Sequence, residues 1–181
     1  MTYTMSQRVR KFALTTHITV SVGWIGAVAA YLALDVTIVT SQDVQTLRAT
    51  YLAMELIAWY VIVPLALASL LTGLVMALGT RWGLFRHYWV LISFLLTVLA
   101  VVVLLVETQT ISQLANKATD PTTSSTELRA LPSTLLHSGG GLVVLLMILV
   151  LNVYKPPGLT PYGWRKLQDQ RTESRPSGRS N

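Results

Sequence analysis

The chain has 181 residues, of which 52% are apolar and only 12% are charged. A soluble domain usually carries about 25% charged residues, so this composition excludes an ordinary soluble protein. The absence of cysteine excludes disulfides, iron–sulfur clusters and thiol chemistry. The formal charge of +6 lies in segments that flank apolar runs, without the interleaved aromatic residues of a nucleic-acid-binding face, so no nucleic-acid partner is expected.

Four apolar windows follow in chain order, at residues 12–34, 56–78, 88–106 and 135–154. Each reaches or approaches the length of about 20 residues that a helix needs to cross a bilayer. The first window follows a basic N-terminus at residues 1–11, as in a cleavable signal peptide, but its apolar character continues to Leu34, which favours an uncleaved span. We predict an all-α, polytopic membrane protein whose transmembrane domain covers residues 12–156.

The first two connections carry clear local signals. Ser41 or Asp43 is expected to cap a helix that runs into the second span. Pro64 lies inside that span, where it should kink the helix and free the carbonyl of Tyr60. Residues 80–86 are predicted to form a tight turn, which makes spans two and three a helical hairpin.

The last connection and the tail are rich in turn-forming residues. Ser124 and Glu127 have the spacing of a capping box for one short helix, and Pro132 is suited to the start of the fourth span. The segment after Tyr154 begins with several Pro and Gly residues, so we predict that it is not helical. Residues 157–181 then form a basic tail that is largely disordered.

Basic residues concentrate on one side of the predicted membrane. They precede the first span, flank the short second connection and follow the last span: Arg8, Arg10, Lys11, Arg81, Arg86, Lys155, Arg165, Lys166, Arg171, Arg175 and Arg179. Six of the eight acidic residues lie in the other two connections or at their edges. The positive-inside rule therefore predicts that both termini are cytoplasmic, as in an antiparallel bundle of four transmembrane helices.

Small residues indicate how this bundle would close. Ser69, Gly73 and Ala77 repeat every four residues on the second span, and Gly26 and Ala30 do so on the first. Hydrophobic association is weak in lipid, so helices pack where small side chains let their backbones approach. We expect these two faces to form interhelical contacts.

Two histidines are candidates for binding haem b. His17 and His87 lie in the cytoplasmic halves of the first and third spans, and two axial ligands must reach one iron from facing helices. Their estimated depths differ by about 7–8 Å. The alternative, which we favour, is that His17 bonds a neighbouring carbonyl or hydroxyl and His87 is hydrated.

A second group of ionisable residues lies near the external ends of the spans. Asp35, Glu55, Glu107 and His137 come one from each predicted helix, and Glu107 and His137 are expected at the same level. Glu55, Glu107 and His137 could together bind a divalent metal or relay protons. Alternatively, each acid simply ends its span in the headgroup region.

The segment H-S-G-G-G places three glycines directly after the start of the fourth span. Gly140 and Gly141 follow His137 on nearly the same helical face, where they remove side-chain bulk. A flat cofactor, a lipid chain or another helix would fit the resulting groove. We favour close packing of the glycines against a neighbouring span, with His137 bonded to Glu107 or to water.

Two segments of the chain also resemble a known family. W-G-L-F-R-H-Y-W-V-L (82–91) and Y-K-P-P-G-L-T-P-Y-G-W-R-K (154–166) are the most distinctive marks, and the resemblance covers nearly all of residues 8–166. The family consists of uncharacterised bacterial four-span integral membrane proteins. The resemblance implies a bacterial cytoplasmic membrane and a four-span fold. No activity is established for the family, so it assigns no functional residue.

Three functional hypotheses follow. The chain has no phosphate-binding loop, nucleophile elbow or metalloprotease motif, so we favour a non-enzymatic accessory or structural protein without a cofactor. Its partners would be the lipid bilayer and either a second copy or other membrane proteins. The first alternative is a haem- or metal-binding redox protein. The second is a proton-coupled transporter of small solutes, which would need an oligomer because four helices leave little room for a pathway.

Overall fold

The computed structural model describes residues 5–79 and 83–173, and within these ranges the chain is helical without a β-strand. The helices are α1 (Gln7–Thr40), α2 (Val44–Ile57), α3 (Val63–Gly79), α4 (Tyr88–Thr119), α5 (Ser125–Arg129), α6 (Leu135–Tyr154) and α7 (Pro161–Glu173). A π-helical segment at Ala58–Ile62 joins α2 to α3. Four helical stretches, namely α1, Val44–Gly79, α4 and α6, are long and apolar enough to span a membrane. This confirms the predicted all-α fold with four candidate spans.

Three of the four helical stretches are longer than the predicted spans, and the start of Val44–Gly79 agrees with the cap predicted at Ser41 or Asp43. α1 has 34 residues, Val44–Gly79 has 36 and α4 has 32, whereas about 20 residues cross the hydrocarbon. The extra turns of Val44–Gly79 and of α4 lie where α1 ends and α6 begins, which we call the loop end. The opposite end, where α1 begins and α6 ends, is the terminal end. α6 alone has the predicted bounds.

The four long helices form a ring in chain order. α1 packs against α3 and α6, and α4 packs against α2, α3 and α6. His17 of α1 contacts Thr72 of α3, while Ser21 contacts Ser69. Residue numbers therefore rise along α1 as they fall along α3, so these two helices are antiparallel, as predicted.

The small-residue face of α3 packs against the bundle, but the one predicted on α1 does not. Ala77 is buried, and a Cβ added at Gly73 would lie 3.2 Å from Cε1 of His17. In contrast, Gly26 and Ala30 are exposed, and a Cβ at Gly26 would meet nothing within 4 Å. Gly26 and Ala30 share one surface of α1 as predicted, but the rotation of this helix turns that surface away from the bundle.

Pro64 is accommodated by a local change of helix type. The backbone N–H of Val63 donates to the carbonyl of Ala58, which is the wider turn of a π-helix. This π segment lies just before Pro64, which has no N–H, while the kink and the free carbonyl of Tyr60 stay predictions. Helical structure continues on both sides of the segment.

The tightest packing lies at the loop end. The largest fully buried side chains are Tyr51, Met54, Ile111, Leu128, Thr108 and Asp35. The turns at this end have the predicted caps, since Asp43 accepts from the Thr46 N–H at 2.8 Å and Ser124 forms a capping box with Glu127. The projecting helices thus form a compact cap over the candidate spans.

Arg48 closes this cap at the end of α4. Its guanidinium donates to the carbonyl oxygens of Asp120 and Thr123, each at 2.9 Å, and also to that of Ala118. These carbonyls lie at or beyond the last turn of α4, where backbone acceptors lack helical partners. Arg48 therefore fixes the start of the α4–α5 connection against α2.

The segment after α6 contains a helix that the sequence pattern did not predict. Lys155 ends α6 in a left-handed conformation, with φ of 46°. Thr160 then caps α7, accepting through its hydroxyl from the N–H of Gly163 at 3.1 Å. The prediction of a non-helical segment is wrong here because Pro161 occupies the first helical position, where its missing N–H has no cost. Residues 174–181 of the predicted disordered tail lie outside the described residues.

Candidate binding cavities in the bundle

His17 is held by a hydroxyl group within the bundle. Its Nδ1 lies 2.9 Å from Oγ1 of Thr72, and Thr72 in turn donates to the carbonyl of Ala68 at 2.7 Å. Since the hydroxyl hydrogen goes to Ala68, the His17 ring is the donor in the first contact. This is the structural alternative that the sequence favoured for His17.

His87 has a different setting from His17. It is the residue before the first turn of α4, and its backbone pairs with that of Leu159. Its ring is tilted against Trp89, with 6.4 Å between the ring centroids. His17 lines a cavity in the terminal half of the bundle, and His87 does not. The two histidines therefore do not line a common cavity, and haem binding by this pair stays a prediction.

Glu107 and His137 meet at the loop end. Nε2 of His137 lies 3.4 Å from Oε1 of Glu107, so the prediction that these two residues are level and paired is confirmed. Glu55 is half-buried, and its side chain forms no hydrogen bond or ion pair with another residue of the described ranges. Within 5–79 and 83–173, no three His, Asp or Glu side chains are grouped closely enough to hold a metal ion.

Asp35 has a role that the sequence pattern did not predict. It is fully buried, and its carboxyl oxygens accept from the Thr134 N–H at 3.0 Å, the Thr134 hydroxyl at 2.9 Å and the Ser138 hydroxyl at 2.6 Å. Tyr31 completes the group, with its hydroxyl 3.2 Å from that of Thr134. Asp35 thus caps α6 from the neighbouring helix α1.

The acids of two helices converge on the start of α6 for a physical reason. The first turn of α6 contains no acidic residue, and the N–H groups of that turn lack helical acceptors. Asp35 of α1 supplies an acceptor for the N–H of Thr134. Glu107 of α4 lies near the same helix start because it contacts the side chain of His137. Negative groups are favoured at a helix N-terminus by its dipole. The sequence signal for this contact was the pair Thr134 and Ser138, four residues apart at the start of the fourth span. This pair does not show which helix supplies the acceptor.

A cavity of about 330 Å³ lies directly beside this group, and we call it the loop-end cavity. Its walls are mostly apolar side chains of α1, the π segment, α4 and α6. Its polar lining is confined to Tyr31, Glu107, Thr108, Thr134, His137 and Ser138, together with the backbone of the glycines. An apolar space with a few polar groups at one side is typical of small-molecule sites.

Gly140 and Gly141 open this cavity. Both line it, and a Cβ added at either would meet nothing within 4 Å. The favoured prediction of close glycine packing is therefore wrong at these two positions. Of the three glycines, only Gly139 has a neighbouring helix close by, since a Cβ added there would lie 3.9 Å from Cδ1 of Leu32. The glycines leave space in place of forming a helix contact.

A larger cavity of about 800 Å³ occupies the other half of the bundle, and we call it the terminal-end cavity. It is lined by α1, α3, α4 and α6. Its polar and charged lining consists of Arg10, Lys11, His17, Ser21, Ser69, Ser93, Thr97, Asn152 and Lys155. No acidic residue of the described ranges lines it.

A single layer of side chains separates the two cavities. Trp24 and Leu145 line both of them, and both residues are buried. One cavity therefore lies on each side of this layer, within the ring of long helices.

In comparisons with known proteins, no protein-family profile, curated protein or solved structure matches this chain.

Proposed function

We propose that the chain is a non-enzymatic accessory protein of the membrane that holds a mainly apolar molecule with one polar end in its loop-end cavity. The observation that carries this proposal is the cavity at Gly140 and Gly141. Two glycines in a helix disfavour that helix by about 1 kcal/mol each relative to alanine, and neither is required here by a close backbone contact. A bound molecule would occupy the space that Gly140 and Gly141 leave open, which would account for the two glycines.

The lining of the cavity defines the ligand class. Apolar side chains surround most of it, and the Glu107–His137 pair lies at its polar side. The imidazole can donate or accept a hydrogen bond, so it suits a carbonyl, hydroxyl or similar group. The apolar body of the ligand would lie over Gly140 and Gly141.

The proposed setting is the bacterial cytoplasmic membrane, with four crossings and both termini inside. The basic residues at the terminal end support this orientation through the positive-inside rule. The loop-end cavity then lies on the external side. The lipid bilayer is the immediate partner, and a second copy of the chain or another membrane protein is the proposed protein partner.

The test is the effect of membrane lipid on the stability of two matched variants. Gly141→Leu fills the cavity, and Gly26→Leu adds the same side chain in open space outside it. A ligand that binds only the folded state raises the unfolding temperature. A total lipid extract of the host membrane should therefore stabilise the delipidated wild type and Gly26→Leu, but not Gly141→Leu. Equal stabilisation of all three proteins would contradict the proposal.

One observation favours proton-coupled transport as a second candidate function. Only the layer of Trp24 and Leu145 separates the two cavities, so a small movement of these side chains would connect them. Liposomes containing the protein should then take up protons faster than empty ones, and Trp24→Ala should raise the rate further. Trp59→Ala, at an exposed position outside both cavities, is the control. No proton or cation flux in any sample would remove this candidate.

The redox alternative is tested by absorption. A haem bound through His17 and His87 would give a Soret band in oxidised and dithionite-reduced protein, and that band would be lost in His17→Ala. A metal held by Glu55, Glu107 and His137 would appear in metal analysis of the same sample. Protein from haem-replete cells without either signal would contradict this alternative.

A further inference from the structure

We propose that the terminal-end cavity is a second binding site, which takes an anionic amphiphile with its charged head at Arg10 and Lys11 and its apolar chain inside the bundle. This site is separate from the loop-end cavity and uses different residues. Its ligand class follows from three features of the lining: the charges at one end, an unsatisfied hydroxyl inside, and apolar walls beyond.

The charges at this cavity have one sign. Arg10 and Lys11 lie in the second turn of α1, and Lys155 lies directly after α6, so all three are at the terminal end. No carboxyl group from the described residues lines the cavity. Basic side chains near a membrane surface attract anionic lipid heads by about 1 kcal/mol each. This end of the cavity therefore selects a negative group.

A buried hydroxyl inside the cavity lacks a partner. Ser93 is 6% exposed, and its Oγ has no hydrogen bond. Leaving such a group unsatisfied costs about 1–3 kcal/mol, so natural structures rarely retain one without a function. The other serines of the lining, Ser21 and Ser69, bond each other at 2.8 Å. Ser93 is thus a hydrogen-bonding group that a bound molecule reaches once the side chain rotates into the cavity, because its Oγ has under 1 Å² of accessible surface in this position.

The remaining walls are mostly apolar and reach deep into the bundle. His17 lies about 9 Å beyond Lys11 along α1, and Trp24, at the far end, is two turns deeper still. The volume of about 800 Å³ lies in the range of cavities that enclose whole small molecules. A free phosphate or carboxylate ion would leave this apolar depth empty, whereas an acyl chain would fill it.

Tryptophan quenching by brominated lipid tests the site directly. Trp89 lines this cavity but not the loop-end cavity, and it is only 7% exposed. In full-length protein with Trp24, Trp59, Trp82 and Trp164 changed to Phe, the fluorescence of Trp89 reports a chain inside the terminal-end cavity. The protein is placed in nanodiscs with brominated phosphatidylglycerol or with brominated phosphatidylcholine of the same chains.

Arg10 and Lys11 each contribute a factor of about five, so the anionic lipid should quench at a mole fraction at least about 25-fold lower than the zwitterionic lipid. Arg10→Gln with Lys11→Gln should remove most of this preference, while Lys155 retains the remainder. Arg8→Gln removes the same charge from a residue that does not line the cavity, and it should leave the preference intact. Ser93→Ala should weaken quenching by both lipids while the preference remains.

Three results would overturn the proposal. Equal quenching by the two lipids would show that the cavity does not select a negative head. Loss of the anionic preference in Arg8→Gln would show that the preference comes from the general surface charge. Relief of quenching by free glycerol phosphate would show a site for a small anion, without a role for the chain. The proposal for the loop-end cavity is unaffected by any of these outcomes because Gly141→Leu and Gly26→Leu test it separately.

Discussion

At the scale of single residues, the polar groups of the chain matter through their partners more than through their depth. Asp35 and Glu107 both lie near the ends of predicted spans in the sequence, yet Asp35 is fully buried against Thr134 and Ser138. Glu107 instead contacts the exposed His137. Their residue types and approximate levels were predictable from the sequence. Their partners depend on the rotation of each helix, which a single sequence does not define.

Replacing Asp35 should destabilise the fold strongly. Asp35→Ala leaves the buried N–H of Thr134 without its carboxylate acceptor, and such an unsatisfied buried group costs about 1–3 kcal/mol. The hydroxyls of Thr134 and Ser138 also lose their shortest contacts and keep only Tyr31 and the Leu135 carbonyl. Asp35→Asn should cost less, because its amide oxygen still accepts from Thr134. The check is denaturant unfolding in detergent, followed by circular dichroism. Glu55→Ala is the control, and an equal effect of Glu55→Ala and Asp35→Ala would contradict the assigned role.

At the scale of helices, hydrophobicity predicted the spans but not the full helices. Runs of apolar residues identify segments that fit a bilayer, so α6 has the predicted bounds. The added turns of α4 lie beyond the apolar window, and they are held by contacts with α2 in the loop-end cap. Such tertiary contacts have no local signature. By contrast, the α7 helix had one in Thr160 and Pro161, which the proline-rich context obscured.

The short helix α5 should respond to acid. The backbone N–H and hydroxyl of Ser124 lower the pKa of Glu127 below its ordinary value of 4.5. Because the folded pKa is the lower one, this stabilisation is complete above the ordinary pKa and is lost as the pH falls through the folded pKa. Hydrogen exchange of residues 124–131, corrected for intrinsic rates, should show weaker protection at about pH 3 than at about pH 7.

Glu127→Gln is the matched variant for this acid response. It keeps an oxygen acceptor for the Ser124 N–H but does not titrate, so its protection relative to α6 should be the same at both pH values. If the variant lost protection in acid to the same extent as the wild type, the response would come from another group.

At the scale of the whole molecule, the bundle is tightly packed at its loop-end cap and open along its interior. The cap contains the largest fully buried side chains, whereas two cavities lie within the ring of candidate spans. The sequence indicated a groove at Gly140 and Gly141, since it lacked side chains there. It did not indicate the terminal-end cavity, because that space arises from the spacing of four helices that are distant in sequence.

The orientation of the whole chain can be tested because it has no cysteine. Gln7→Cys and Thr126→Cys each introduce one exposed thiol, at the terminal end and in the loop-end cap respectively. A membrane-impermeant maleimide added to intact cells should label Thr126→Cys, and Gln7→Cys only after lysis. The reverse pattern would contradict the proposed orientation, and labelling of both before lysis would contradict the three crossings proposed between these two positions.

The most direct test of the central claim is native mass spectrometry of the full chain released from detergent micelles. A site in the loop-end cavity predicts a bound species of discrete mass on the wild type and on Gly26→Leu, and its loss in Gly141→Leu. Extraction and tandem fragmentation would then identify the molecule. Detection of the same bound mass on Gly141→Leu, or of bare protein in all three samples, would contradict a ligand at Gly140 and Gly141.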